Sequence, residues 1–196
     1  MNKTIGKLMK TSSGFARALH VGATDLRSGH LMIFTDSMSA NALQTGIYAS
    51  ASQYLEMPIV KFKDTLLVEG SIRYTADVLG VVNYCLDKGY KEKDIIVDTI
   101  FTEYSELKEV DAKKFRTLDV VHRVYSIYNF QSINFSMEVA YHTFPSVHFR
   151  HIIRPSEDLV GIVEGKSYNY NKHQLKQLYK QGLEDAADTV HGKRFK

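Results

Sequence analysis

Asp94-Ile-Ile-Val-Asp-Thr-Ile-Phe-Thr102 is the stretch of this sequence that decides the fold class. It is a nearly continuous run of apolar and β-branched residues, which is typical of a strand buried on both faces of a parallel sheet. Gly89 comes before it and ends a predicted helix over residues 75–88, as expected of a glycine just past a helix terminus. Strands separated by helices in this way predict an α/β sandwich with a largely parallel sheet.

Further elements are predicted on both sides of this run. The hydrophobic periodicity indicates strands at 17–24, 30–35 and 147–154, a hairpin of 57–62 and 65–69, and helices at 41–55, 112–140 and 171–189. The aromatic and aliphatic stripe between residues 115 and 135 could contact lipid, but a stripe at helical spacing favours the core. The last helix is predicted to be amphipathic.

Composition sets limits on the class of protein. The chain has 196 residues, of which 44% are apolar and 24% charged, as in a soluble globular protein with one core. The net charge of +3 is too small and too dispersed for a nucleic-acid binder. The single cysteine, Cys85, excludes an internal disulfide framework and fits a reducing compartment. Its apolar neighbours predict a buried structural thiol.

The ends of the chain are basic. The first 24 residues hold no Asp or Glu but do hold lysines and an arginine, which is weakly similar to a mitochondrial transit peptide. We predict instead a basic N-terminal segment at 1–16, one domain at 17–190 and a basic tail at 191–196. No apolar run approaches the roughly 20 residues that span a bilayer. The expected location is intracellular and cytoplasmic, with the mitochondrion as the alternative.

Several short segments occur in a characteristic order. Ala23-Thr-Asp-Leu-Arg-Ser-Gly29 precedes an apolar strand, and Ile47-Tyr-Ala-Ser-Ala-Ser52 is followed by Pro58. Lys63-Asp-Thr-Leu-Leu-Val-Glu-Gly-Ser71 forms a hairpin that ends in Glu-Gly-Ser, and the glycine and strand of 89–102 come next. In this order and spacing, the segments resemble the patatin-like phospholipases, a family of lipid acyl hydrolases.

The resemblance covers residues 17–190 and includes the closing segments Ile152-Ile-Arg-Pro155 and 178–186. It implies a patatin-like three-layer sandwich that lacks the N-terminal, nucleophile-bearing half. It also implies a set of residues that shape the motifs, with Asp25 holding its own turn through side-chain hydrogen bonds. These structural positions are Thr24, Asp25, Gly29, Ser50, Ser52 and Pro58.

Catalysis in this family resembles that of a Ser/Asp dyad. The serine of a Gly-x-Ser-x-Gly elbow attacks the ester, a glycine-rich loop stabilises the oxyanion, and the aspartate of Asp-Gly-Gly accepts the proton. The nearest elbow here, Lys10-Thr-Ser-Ser-Gly14, lacks the first glycine, and no glycine-rich loop occurs. Glu69 matches the aspartate, followed by Gly70 and by Ser71 in place of the last glycine. Since an ångström-scale misplacement can cost about 100-fold in rate, the chain is not expected to hydrolyse esters by itself.

Two functions follow from these expectations. In the first, the chain is a non-catalytic patatin-like subunit that acts as a structural or fold partner within a protein complex. In the second, it is one half of a split patatin-type hydrolase, and Glu69 is the base for a serine on another chain. The expected partner is a protein that supplies the missing half-domain or covers the open sheet, or else a second copy, because exposed sheet edges promote aggregation.

The sequence also bears on lipid, nucleic acid, cofactor and metal binding. A lipid or membrane surface is kept as a further partner, and neither nucleic acid nor a cofactor is expected. His142, His148 and His151 suggest zinc at first sight. Because alternate residues of a strand face opposite sides, His148 and His151 would point apart, and no metal site is predicted.

Overall fold

The computed structural model describes residues 17–53, 57–103, 106–107, 109–156 and 171–193 of the chain. The protein is a mixed α/β structure that divides into two compact units, one ending at Val81 and one beginning at Val82. The predicted basic segment at 1–16, its imperfect elbow and the last three residues of the predicted tail lie outside the described residues.

The first unit contains a four-stranded antiparallel sheet of strand order β2-β1-β4-β3. Its strands are β1 (His20–Asp25), β2 (Leu31–Thr35), β3 (Val60–Phe62) and β4 (Thr65–Glu69). The predicted strands and the hairpin at Lys63-Asp64 are found here. A largely parallel sheet is not confirmed, and neither is the patatin-like three-layer sandwich. The reason is local, because short turns join β1 to β2 and β3 to β4, and such turns connect only antiparallel neighbours.

Helix α1 (Ala40–Ser50) covers this sheet. It begins at Ser39, whose side chain accepts a hydrogen bond from the amide of Ala42 and caps the helix. The side of the helix that carries Leu43 and Gly46 is buried against a core that includes Phe34 and Leu67. A Cβ built on Gly46 would overlap the Phe34 ring, so the glycine permits this close approach.

The next helix, α2 (Val78–Asp87), lies within the predicted range, and Gly89 follows it with φ 90°. That positive φ is the left-handed conformation that glycine adopts without steric cost. Cys85 on α2 is partly buried and forms no disulfide.

The second unit pairs two parallel strands, β5 (Ile96–Ile100) and β6 (His148–Ile153), and adds the helices α3 (Thr117–Thr143) and α4 (Lys172–Val190). The predicted parallel pairing of β5 is found, but the prediction that both of its faces are buried is wrong. Ile96 and Ile100 are 56% and 76% exposed. Exposure alternates along β5, so one of its faces is left uncovered.

Candidate functional site

Residues from several of the family-like segments meet where β4 ends beside β1. Glu69 is the last residue of β4 and lies opposite Ala23 in the antiparallel register. Its amide donates a hydrogen bond to the carbonyl oxygen of Ser52 at 3.0 Å. The hydroxyl of Thr24 donates to the carbonyl oxygen of Gly70 at 3.4 Å. The structure thus brings together Thr24, Ser52 and the adjacent pair Glu69 and Gly70, which come from three separate segments of the sequence.

Gly70 is the most constrained residue of this group. It is buried and opens a 3-10 turn that runs from Gly70 to Ile72 and contains Ser71. A Cβ built on Gly70 would lie 2.5 Å from the carbonyl oxygen of Gly22, which is closer than real Cβ atoms come to backbone. The glycine therefore lets the end of β4 pack directly against β1. The carboxylate-bearing Glu69 is partly buried at this junction.

Asp25 uses its carboxylate within its own turn. Its Oδ1 accepts the amide of Arg27 at 3.1 Å, and its Oδ2 accepts the hydroxyl of Ser28 at 2.7 Å. These bonds stabilise the charged form and hold the Asp25 pKa below its usual range, with the Ser28 hydroxyl as the largest cause. Gly29 completes the turn with φ 72°. This arrangement organises the backbone between β1 and β2.

The remaining motif residues lie around the end of α1. Ser50 is the last residue of the helix. Ser52 is fully buried, and its hydroxyl donates to the carbonyl oxygen of Tyr48 at 2.8 Å. Pro58 is exposed and precedes β3. Because the Ser52 hydroxyl is buried and engaged with the backbone, its role here is to end the helix.

A histidine–aspartate pair in the same unit was not predicted. His20 Nε2 lies 3.1 Å from Asp77 Oδ2, and Asp77 Oδ1 accepts the amide of Gly80 at 3.1 Å. Asp77 therefore caps the start of α2 and also contacts the first residue of β1. The sequence could have indicated this cap, because Asp77 directly precedes the apolar run of the predicted helix and an aspartate in that position often caps a helix. The contact with His20 spans 57 positions and has no local signal.

In the second unit, Asp98 on β5 binds two side chains of β6. Arg150 donates from both Nε and Nη2 to its carboxylate, and His151 Nδ1 lies 3.0 Å from its Oδ1. The Arg150 hydrogen bond is the main reason that the pKa of Asp98 is lowered to about 2. The strand register shifts after Val97, so that Asp98 pairs with His151 and Arg150 stands outside the pairing.

That shift also affects the predicted histidine geometry. The expectation that His148 and His151 point apart assumed a regular strand, and the irregularity of the register removes this assumption. Across the described ranges, no group of three or more His, Cys, Asp or Glu side chains is arranged to hold a metal ion. What the Asp98 cluster does is fasten β5 to β6 at the surface.

In the first half of helix α3, the side that continues the buried side of the second half is polar, and the exposed side is apolar. The buried side is formed by Asn129, Ile133, Met137 and Ala140, all in the second half. At about 100° per residue, the same side continues through Asp119, His122 and Ser126 in the first half. The exposed side of that first half is apolar, and its exposed residues are Leu118, Val120, Val121, Val124, Ile127 and Tyr128.

Helix α4 shows the same reversal. The buried residues are Asp185 and Thr189, and Asp185 Oδ2 accepts the amide of Ser156 at 3.1 Å. The outward side carries Leu175, Tyr179, Leu183 and Val190, of which Tyr179 is 71% exposed, and the exposed Lys172, Lys176 and Lys180 lie among them. The predicted helix is therefore present, but Leu175 and Leu183 of its apolar stripe are exposed, and its buried residues are polar.

The prediction that the stripe between residues 115 and 135 faces the core is thus wrong for the first half of α3. Helical spacing identifies residues that share a side and does not tell which side is covered. No helix in the described part of the chain is long and apolar enough to span a membrane.

No protein-family model and no curated protein matches this chain. The likeness to patatin-like phospholipases is therefore a resemblance that rests on the sequence motifs alone. The Asp98 cluster, the Asp25 turn and the Asp77 cap each use their carboxylates in structural bonds. Among the described residues, the feature that these internal bonds do not account for is the outward apolar side of α3 and α4.

Proposed function

We propose that this chain is a non-catalytic, patatin-like subunit that acts as a structural partner in a protein assembly. The observation that carries the proposal is the outward apolar side of two helices in the second unit. We call these surfaces the α3 face, made of Leu118, Val121, Val124 and Tyr128, and the α4 face, made of Leu175, Tyr179 and Leu183.

Exposed apolar surfaces of this kind favour association. Soluble monomers seldom expose contiguous apolar patches of more than a few hundred Å², and larger patches mark interaction sites. Covering one large aliphatic or aromatic side chain contributes about 1.5–3 kcal/mol. The two faces together therefore offer gross stabilisation on the order of 10 kcal/mol, which is comparable to the cost of bringing two proteins together.

A second copy of the chain is the partner that these faces fit best. The α3 face runs for about 15 Å from Leu118 to Tyr128, and the α4 face for about 12 Å from Leu175 to Leu183. The α3 face of one copy can therefore be covered by the α4 face of another, and a two-fold axis makes the contact reciprocal. One chain thus provides both halves of the interface.

On α3, the distribution of charge supports a protein partner over a lipid surface. Between Thr117 and Tyr128 the charged residues are Asp119 and Arg123, and both lie on the side of the helix opposite Val121. The α3 face can therefore be buried without an unpaired charge. A helix that lies on a membrane usually carries several Lys and Arg on its polar side, and this segment lacks such a set.

The test is the molar mass of the full chain in solution, measured by light scattering after size exclusion across a concentration series. We expect a reversible dimer. Val124→Glu and Tyr179→Glu, at positions 59% and 71% exposed, should give monomers with unchanged circular dichroism. Gln177→Glu, which adds the same charge on the other side of α4, should leave the dimer intact.

A monodisperse monomer at every concentration would overturn the proposal. So would dimers that persist in both face variants. Sedimentation of a monomeric chain with phospholipid vesicles would assign the faces to lipid instead.

The split-hydrolase function is the second candidate, and the position of Glu69 favours it. The residue lies partly buried at the end of β4, beside a glycine that packs on β1. If a companion chain with a Gly-x-Ser-x-Gly elbow exists, the pair should hydrolyse a short-chain nitrophenyl ester. Glu69→Ala should then lower the rate by about 100-fold or more, with Glu69→Asp as the conservative control. Equal rates in the wild type and Glu69→Ala would remove Glu69 from the mechanism.

A further inference from the structure

A cavity of about 290 Å³ lies in the second unit, between the second half of α3 and the end of β6. Its walls are mainly apolar and include Met137, Tyr141 and Ile152. Its polar lining consists of Asn134, Glu138, His142 and Arg154, the last of which follows β6. The volume is near the lower limit of small-molecule sites, so it suits a ligand of few atoms.

Arg154 is held in place but keeps unused donors. Its guanidinium carbon lies 4.9 Å from the centre of the Phe101 ring, and its Nη2 donates to Asn134 Oδ1 at 3.0 Å. A guanidinium has five N–H donors. Within the described residues, Asn134 is its hydrogen-bond partner and no carboxylate lies within ion-pairing distance, while the charge of Glu103 acts on it from farther away. Burial also lowers the pKa of Arg154, which indicates a charge partly withdrawn from water.

The part of the wall formed by Tyr141 is held in place by a ring contact and is uncharged. The Tyr141 ring packs edge-on against Phe149, with 4.5 Å between the ring centres. Burial raises the Tyr141 pKa, so the phenol stays neutral at physiological pH. A bound molecule would therefore meet the Arg154 cation, the Glu138 carboxylate and a rigid apolar surface.

We propose that this cavity binds a small organic carboxylate. The carboxylate pairs with the free N–H groups of Arg154, because the planar guanidinium matches two carboxylate oxygens. The apolar part of the ligand packs against Met137, Ile152 and Tyr141. Glu138 on α3 also lines the cavity, so a doubly charged phosphate would be repelled more than a single carboxylate. This inference is independent of the proposed assembly, which uses other surfaces of α3 and α4.

The test uses hexanoate as the probe and the full-length chain, with binding followed by isothermal titration calorimetry and by the Arg154 side-chain NMR signal. We expect saturable binding of hexanoate and none of hexylammonium. Arg154→Gln should weaken hexanoate by at least about tenfold. Arg150→Gln is the matched control, since Arg150 lies on the same strand segment but pairs with Asp98, and it should bind hexanoate as the wild type does.

A second variant keeps the test decisive if Arg154→Gln does not fold. Asn134→Asp retains the guanidinium but places a carboxylate 3.0 Å from it, which should occupy Arg154 and weaken hexanoate by a similar factor. The proposal is overturned if hexanoate does not saturate the wild type, or if Asn134→Asp binds it unchanged. Displacement of hexanoate by an equal concentration of inorganic phosphate would overturn the choice of a carboxylate.

Discussion

The two units of the chain treat their apolar side chains in opposite ways. In the first unit, Phe34, Leu43 and Leu67 are at most 1% exposed, and α1 turns its apolar side to the sheet. In the second unit, α3 and α4 turn much of their apolar surface to the outside. The first unit therefore gathers large apolar residues in a sealed core, although Leu26 and Ile59 are exposed. The second unit exposes more of its large apolar residues, and the proposed function rests on this difference.

The difference in burial between the two units is tested most strongly by removing one phenylalanine from each of them. Phe34→Ala should lower the free energy of unfolding by about 3–5 kcal/mol, because it leaves a cavity in a sealed core. Phe135→Ala, at a position 67% exposed on α3, should change it by about 0.5 kcal/mol or less. Urea unfolding of dilute protein measures both. Similar losses for the two variants would mean that α3 is covered within the chain.

Glycines on helices of the two units provide a smaller contrast. Gly46→Ala should cost about 1–3 kcal/mol, because the new methyl group would overlap the Phe34 ring. Gly182→Ala on α4 has no atom within 4 Å of the new Cβ and should instead stabilise the protein, by up to about 1 kcal/mol. Thermal unfolding of the two variants should therefore shift in opposite directions. A stabilising Gly46→Ala would contradict the close packing of α1 on β2.

The Asp98 pair predicts how acid affects the second unit. The pKa of Asp98 is lowered from 3.8 to about 2, so the pair stabilises the fold above pH 3.8 and loses its effect as the pH falls toward 2. Because both side chains are more than one third exposed, the contribution is small and falls with added salt. The difference in unfolding free energy between wild type and Asp98→Asn should be present at pH 5 and vanish near pH 2. If the difference between wild type and Asp98→Asn does not change with pH, the ion pair is not its source.

Much of the first unit could be predicted because its signals are local. Gly29 and the Lys63-Asp64 pair mark tight turns between apolar runs, and both hairpins are found. The same turns argue against the predicted parallel sheet, because strands that are joined by such short turns pair in antiparallel orientation. Gly89 likewise predicted the end of α2, and its positive φ in the structure explains why a glycine is found there.

The second unit was harder to predict because its decisive contacts are not local. Helical spacing showed that Leu118 and Val121 share a side of α3, but not that this side faces outward. The Arg154 cavity depends on Asn134, 20 positions away, and on Phe101 beyond β5. No short motif places these residues together, so the cavity required the folded chain.

The smallest predicted effect is on α4 and tests the reversal directly. Leu183→Gln, at a position 56% exposed, should change the stability of the dilute monomer by about 0.5 kcal/mol or less. On the inner side of the same helix, Asp185→Ala removes the acceptor of the Ser156 amide and should cost about 1–3 kcal/mol. An ordinary amphipathic helix would give the reverse order, because its leucine would be the anchored residue. If Leu183→Gln is the more costly change in dilute protein, the apolar side of α4 is already covered within one chain, and a second copy is not needed to explain it.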